Sequence, residues 1–105
     1  MTHVTPEGKI KRAIKKVLDA LSGCYYFMPV QMGLGARTLD FLVCYRGKFF
    51  GFEAKAPGEK PTALQKICMK KIQEAGGEYL VIDSPEIVAH LKEWMELHSA
   101  TEVLE

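Results

Sequence analysis

The chain has 105 residues, 48% of them hydrophobic and 26% charged, with a formal net charge of +1. That length fits one compact domain and leaves no room for two. The composition is ordinary for a soluble globular protein, and no stretch approaches the roughly 20 apolar residues of a membrane span.

The small net charge conceals an asymmetry. Residues 1–71 carry 13 Lys and Arg against 5 Asp and Glu, a net of +8, whereas residues 72–105 carry 1 against 8, a net of −7. A basic front and an acidic rear can steer a polyanion to one side of a small protein. Cys24, Cys44 and Cys68 form no C-x-x-C pair, so no zinc or thioredoxin-like site is signalled. Each lies among apolar residues, where a buried, reduced thiol is expected, and this favours a cytoplasmic location. The N-terminal residues contain no apolar signal core.

Thr5 and Pro6 open the first predicted helix as N-cap and first helical residue. Ile10, Ala13, Ile14, Val17, Leu18 and Leu21 make its buried stripe, basic residues fill the other faces, and Gly23 ends it. Cys24 to Val30 reads as a strand, and Gln31 to Arg37, with two glycines, as a loop. Leu39 to Tyr45 and Lys48 to Lys55 read as strands of a hairpin turning at Arg46-Gly47. After a loop marked by Pro57, Gly58 and Pro61, a helix spans Leu64 to Ala75, with Leu64, Ile67, Cys68, Ile72 and Ala75 expected inward. Glu78 to Ile82 is a short strand. Ser84-Pro85 opens a last helix, with Ile87, Val88, Leu91, Trp94 and Met95 inside and His90 partly buried. The order α-β-β-β-α-β-α predicts an α/β fold, a mixed sheet with helices on its faces. Residues 1–98 are expected to form a single domain and residues 99–105 a frayed tail.

The chemistry concentrates on the third strand. Side chains alternate faces along a strand, so Phe50, Phe52 and Ala54 point one way and Glu53 and Lys55 the other. A hairpin at Arg46-Gly47 sets paired positions to a sum near 93, which brings Asp40 opposite Glu53. Two adjacent carboxylates repel unless a positive charge lies between them. Mg²⁺ is often held by one or two carboxylates plus substrate oxygens. Lys55 would stand beside such an ion, able to position or deprotonate a water and to neutralise a phosphate. Alone, the Glu-x-Lys triplet also fits a salt-bridged pair on an exposed sheet face.

Further residues sharpen the pattern. The runs Gly35-Ala-Arg-Thr-Leu-Asp40, Glu53-Ala-Lys55-Ala-Pro-Gly, Thr62-Ala-Leu-Gln65 and Ala75-Gly-Gly together resemble the VRR-NUC branch of the PD-(D/E)xK nuclease superfamily, over roughly residues 5–90. That family usually carries proline before the metal-binding aspartate, where this chain has Leu39. The resemblance implies a restriction-endonuclease-like αβββαβ(α) core. It implies Mg²⁺ or Mn²⁺ ligated by Asp40, Glu53 and the backbone carbonyl of Ala54, with Lys55 as catalytic lysine. Gln65 would orient water or phosphate, and Glu7 matches an acidic residue that many members supply from their first helix. The bland reading of Glu7 is a carboxylate favouring a helix N-terminus.

Lys9, Arg12 and Lys16 form a basic stripe on the first helix, and Arg37, Lys60, Lys66 and Lys70 could also contact phosphates. His3, His90 and His98 show no ligand spacing. With no helix-turn-helix or finger to read bases, recognition would rest on shape and backbone. The expectation is a structure-selective DNA endonuclease, resembling Holliday-junction resolvases that act as homodimers on branched DNA. The alternative is a non-catalytic or partner-dependent nucleic-acid-binding module that keeps the nuclease fold.

Overall fold

The computed structural model describes residues 4–30 and 38–99. Its elements in chain order are α1 (Pro6–Ala20), β1 (Cys24–Phe27), β2 (Phe41–Tyr45), β3 (Lys48–Ala54), α2 (Ala63–Glu74), β4 (Glu78–Ile82), α3 (Pro85–Ala89) and α4 (Leu91–Ser99). The fold is α/β: one four-stranded mixed sheet of order β1-β2-β3-β4, flanked by helices. The pairs β1/β2 and β2/β3 are antiparallel, while β3/β4 is parallel. Parallel neighbours need a crossover, and α2 supplies it. Among the described residues, no helix is long and apolar enough to cross a membrane.

The hairpin turns where the sequence predicts. Tyr45 pairs with Lys48, leaving Arg46 and Gly47 as a two-residue loop with φ of 52° and 83°. Positive φ at both positions is what such a tight turn needs to match the strand twist, and Gly47 supplies one without strain.

The two sheet faces are covered unequally. On one, Ile10, Ile14 and Leu18 of α1 pack with Phe41, Val43 and Tyr45 of β2, Phe50, Phe52 and Ala54 of β3, and Val88, Leu91 and Met95 of the last helices. On the other, a smaller core joins Leu39 to Met69 and Ile72 of α2. Leu39, which directly precedes Asp40, is fully buried there.

Several expectations are corrected. The last helix is two, because the backbone at His90 (φ −105°, ψ 8°) leaves helical geometry, and the bend brings Val88, Leu91 and Met95 onto one core. His90 is exposed rather than partly buried, beside Glu93 at 3.5 Å. Cys44 is exposed, since it alternates with the buried Val43 and Tyr45 and falls on the sparsely covered face; Cys24 and Cys68 are half-buried. The inward face of α2 is Gln65, Met69 and Ile72, whereas Leu64 and Ile67 are 43% and 53% exposed and Ala75 is also exposed. Strand β1 stops at Phe27 and β2 starts at Phe41, so both are shorter than expected.

Gly51 sets how close α2 can lie to the sheet. A Cβ at this position would stand 2.7 Å from Ile72 Cδ1 and 2.8 Å from Leu39 Cδ1. Replacing Gly51 with valine should therefore overpack the smaller core and lower stability by about 1–3 kcal/mol in urea unfolding. An unchanged unfolding midpoint would mean that α2 does not sit this close.

Candidate active site

The site lies where β2 begins and β3 ends. The register Phe41↔Phe52 continues to Asp40 opposite Glu53, the sum of 93 expected from the hairpin. Each carboxylate takes a backbone donor from the other's strand region. The Asp40 N–H donates to Glu53 Oε1 at 3.1 Å, and the Ala54 N–H donates to Asp40 Oδ2 at 2.9 Å. Both residues are buried, Glu53 to 1% and Asp40 to 8% exposure. Glu53 is thus not part of an exposed salt bridge, although Lys55 Nζ lies 3.5 Å from its Oε2.

Gln65 completes the Glu53 shell and explains the rotation of α2. Thr62 caps that helix, its Oγ1 accepting the Gln65 N–H at 3.2 Å while Gln65 Oε1 accepts the Thr62 N–H at 2.9 Å. This reciprocal capping box fixes the Gln65 carbonyl on the helix start. The amide nitrogen is left to donate to Glu53 Oε2 at 2.7 Å. A buried carboxylate with an unmade hydrogen bond is more expensive than a few exposed methyl groups. Hence Gln65 turns inward and Leu64 and Ile67 turn out. Gln65 was expected to orient water or phosphate; its amide is engaged by protein groups at both ends.

Lys11, not singled out in the sequence, reaches the site from α1. Its Nζ lies 3.4 Å from Asp40 Oδ1 and 4.0 Å from Glu7 Oε2. Glu7 therefore connects to Asp40 through Lys11. The available signal was the step of four between Glu7 and Lys11, which places both on one side of the helix.

Burial pushes the Glu53 carboxyl up from its ordinary 4.5 to about 7, and the Asp40 charge adds to that, against the opposing pull of Lys55 and the Asp40 N–H. Two acids held this close repel, and the ammonium groups of Lys11, 3.4 Å from Asp40, and Lys55, 3.5 Å from Glu53, offset that repulsion. Among the described residues, no group of three or more His, Cys, Asp or Glu is placed to hold a metal. Two carboxylates fit a hard ion that keeps most of its shell as water and substrate oxygens. They do not fit the closed ligand set of a structural zinc site. Ala54, whose carbonyl was expected to take part, is buried between Asp40 and Glu53 in the same lacing.

The basic residues divide by position. At about 100° per residue, Lys9, Arg12 and Lys16 lie on the side of α1 opposite Ile10, Ile14 and Leu18, and all three are exposed. They do not contact the site carboxylates. Lys60 is exposed in the loop before α2, and Lys66 and Lys70 are exposed on α2. Arg37, with the rest of the glycine-containing loop, lies outside the described residues. No protein-family model matches the chain, and no curated protein matches its sequence.

The raised Glu53 pKa has a stability consequence. The folded state holds this proton more tightly than the unfolded chain, so the stabilisation is fully present below about pH 4.5 and is lost as pH rises through about 7. In chelator, urea unfolding of the wild type should show stability falling across this window, by at most about 3 kcal/mol from this group. Glu53→Gln should remove that component, giving a flatter profile. Identical pH slopes in the two proteins would show that Glu53 titrates normally.

Proposed function

We propose that this chain is a Mg²⁺- or Mn²⁺-dependent, structure-selective DNA endonuclease of the VRR-NUC type, acting as a homodimer on branched DNA in the manner of a Holliday-junction resolvase. The observation that carries this reading is the buried Asp40–Glu53 pair with Lys55 alongside it. Burying two acids together is unfavourable for folding alone, and so marks a site built for a ligand.

Asp40 and Glu53 would hold the ion, with the Ala54 carbonyl as a further ligand. When bound, the ion would supply Lewis acidity towards the scissile phosphate and lower the pKa of an attacking water. Lys55 orients that water and neutralises charge on the phosphate. Gln65 acts through Glu53, fixing its carboxylate plane by the 2.7 Å hydrogen bond. Lys11 borders Asp40 on the α1 side, and Glu7 pairs with Lys11.

Homodimer formation has support in exposed apolar surface. Tyr25 and Phe27 are 76% and 57% exposed on β1, one of the two edge strands of the sheet. A twofold dimer would present two sites to a twofold-symmetric junction. A cytoplasmic location suits the three free cysteines.

The Lys11–Asp40 ion pair favours a second reading. A lysine ammonium beside the aspartate can neutralise the acid pair without metal, as in a non-catalytic or partner-dependent nucleic-acid-binding module. The two readings separate on metal binding and cleavage. For the endonuclease, labelled four-way junction is cut symmetrically in Mg²⁺ or Mn²⁺. Lys55→Ala and Asp40→Asn lower the rate by at least about 100-fold, the scale of losing one positioned catalytic group. Chelator abolishes cutting. Cleavage of flap or single-stranded DNA alone would retain the nuclease and remove the resolvase. Failure of Mn²⁺ to bind, with junction bound but intact, would put the non-catalytic module in its place.

A further inference from the structure

One groove lies along α2, the helix that carries Gln65. It is lined by Pro61, Lys66, Met69, Lys70, Gln73 and Tyr79 and encloses about 470 Å³, within the size range of small-molecule sites. Lys66 in its lining directly follows Gln65, the residue whose amide donates to Glu53. At about 1.5 Å per residue the helix runs some 12 Å from Gln65 to Gln73.

Its lining combines two kinds of contact. Lys66 and Lys70 stand one helical turn apart, are exposed, and form no ion pair with a described residue, and no carboxylate lines the groove among the described residues. Tyr79 pairs with Gly51 in the β3/β4 register and so stands on the Glu53 face of the sheet, 37% exposed. Met69, a polarizable side chain that suits contact with a ring, also lines the groove. Cations one turn apart beside an accessible aromatic ring match a nucleotide strand, whose phosphates need positive charge and whose bases stack on rings. An apolar peptide would leave both lysines unpaired.

We propose that this groove is a subsite for an unpaired DNA nucleotide next to the bond held at Asp40 and Glu53, with its base stacked on Tyr79 and its flanking phosphates on Lys66 and Lys70. The proposal rests on the endonuclease reading for its direction towards the site, but it is tested without cutting.

The full-length protein in chelator would be titrated into single-stranded DNA carrying 2-aminopurine at successive positions, with fully paired DNA as the comparison. Stacking quenches the probe. The expected result is quenching confined to particular positions in the single strand. Tyr79→Ala abolishes it and weakens binding roughly tenfold, within the range for loss of one stacked base. Tyr79→Phe restores both, since it keeps the ring. The double variant Lys66→Ala/Lys70→Ala lowers the slope of log affinity against log salt by about 1.4. Quenching that survives Tyr79→Ala, equal dependence on Tyr79 in paired DNA, or an unchanged salt slope overturns the subsite. Adding Mg²⁺ then separates the two readings. Cleavage by a protein whose Tyr79→Ala variant still quenches removes only the subsite, whereas Tyr79-dependent quenching without cleavage removes only the nuclease.

Discussion

Two carboxylates laced across the start of β2 and the end of β3 constrain most of what surrounds them. Asp40 and Glu53 each accept a hydrogen bond from a backbone N–H contributed by the other's segment, so neither can move without breaking the sheet end. Their like charges sit in a region nearly without solvent. Folding around such a pair is tolerable only if the remaining oxygens are also satisfied. Gln65 from α2, Lys55 just after β3 and Lys11 from α1 do this from three directions. No buried side-chain nitrogen or oxygen among the described residues lacks a partner.

That requirement propagates into packing. Because Gln65 must face Glu53, α2 presents Gln65, Met69 and Ile72 to the sheet and leaves Leu64 and Ile67 outside. The same rotation aligns Lys66, Met69, Lys70 and Gln73 along the groove that Tyr79 borders. Gly51 lets the helix sit close enough for the amide to reach. A hydrogen bond of 2.7 Å at the helix start therefore determines both the smaller core and the groove along α2. The larger core is independent of it. It rests on alternation along β2 and β3 against the apolar stripe of α1, and it gives the sheet end a rigid support.

Much of this architecture was legible in residue order. The α1 stripe, the turn at Arg46-Gly47, the span of β4 and the opposition of Asp40 to Glu53 all follow from local rules, because hairpin register is set by the turn and helix facing by periodicity. Three features were not legible. The phase of α2 depends on a contact between residues 12 apart that outweighs its apolar pattern. The break at His90 reflects the need of Val88, Leu91 and Met95 to reach one core, with no proline or glycine to announce it. Lys11 was one of several basic residues on α1, and its selection depends on where Asp40 lies in space.

The sequence by itself determined the α/β class, the hairpin and the gathering of Asp40, Glu53 and Lys55, since turn chemistry and strand alternation act over a few residues. Only the tertiary structure decided which face of α2 is buried, that Gln65 closes the Glu53 shell, that Lys11 meets Asp40, and that Tyr79 borders a basic groove. These depend on contacts between separate elements. There the penalty for an unsatisfied buried charge exceeds local apolar preference, and no short-range pattern encodes it.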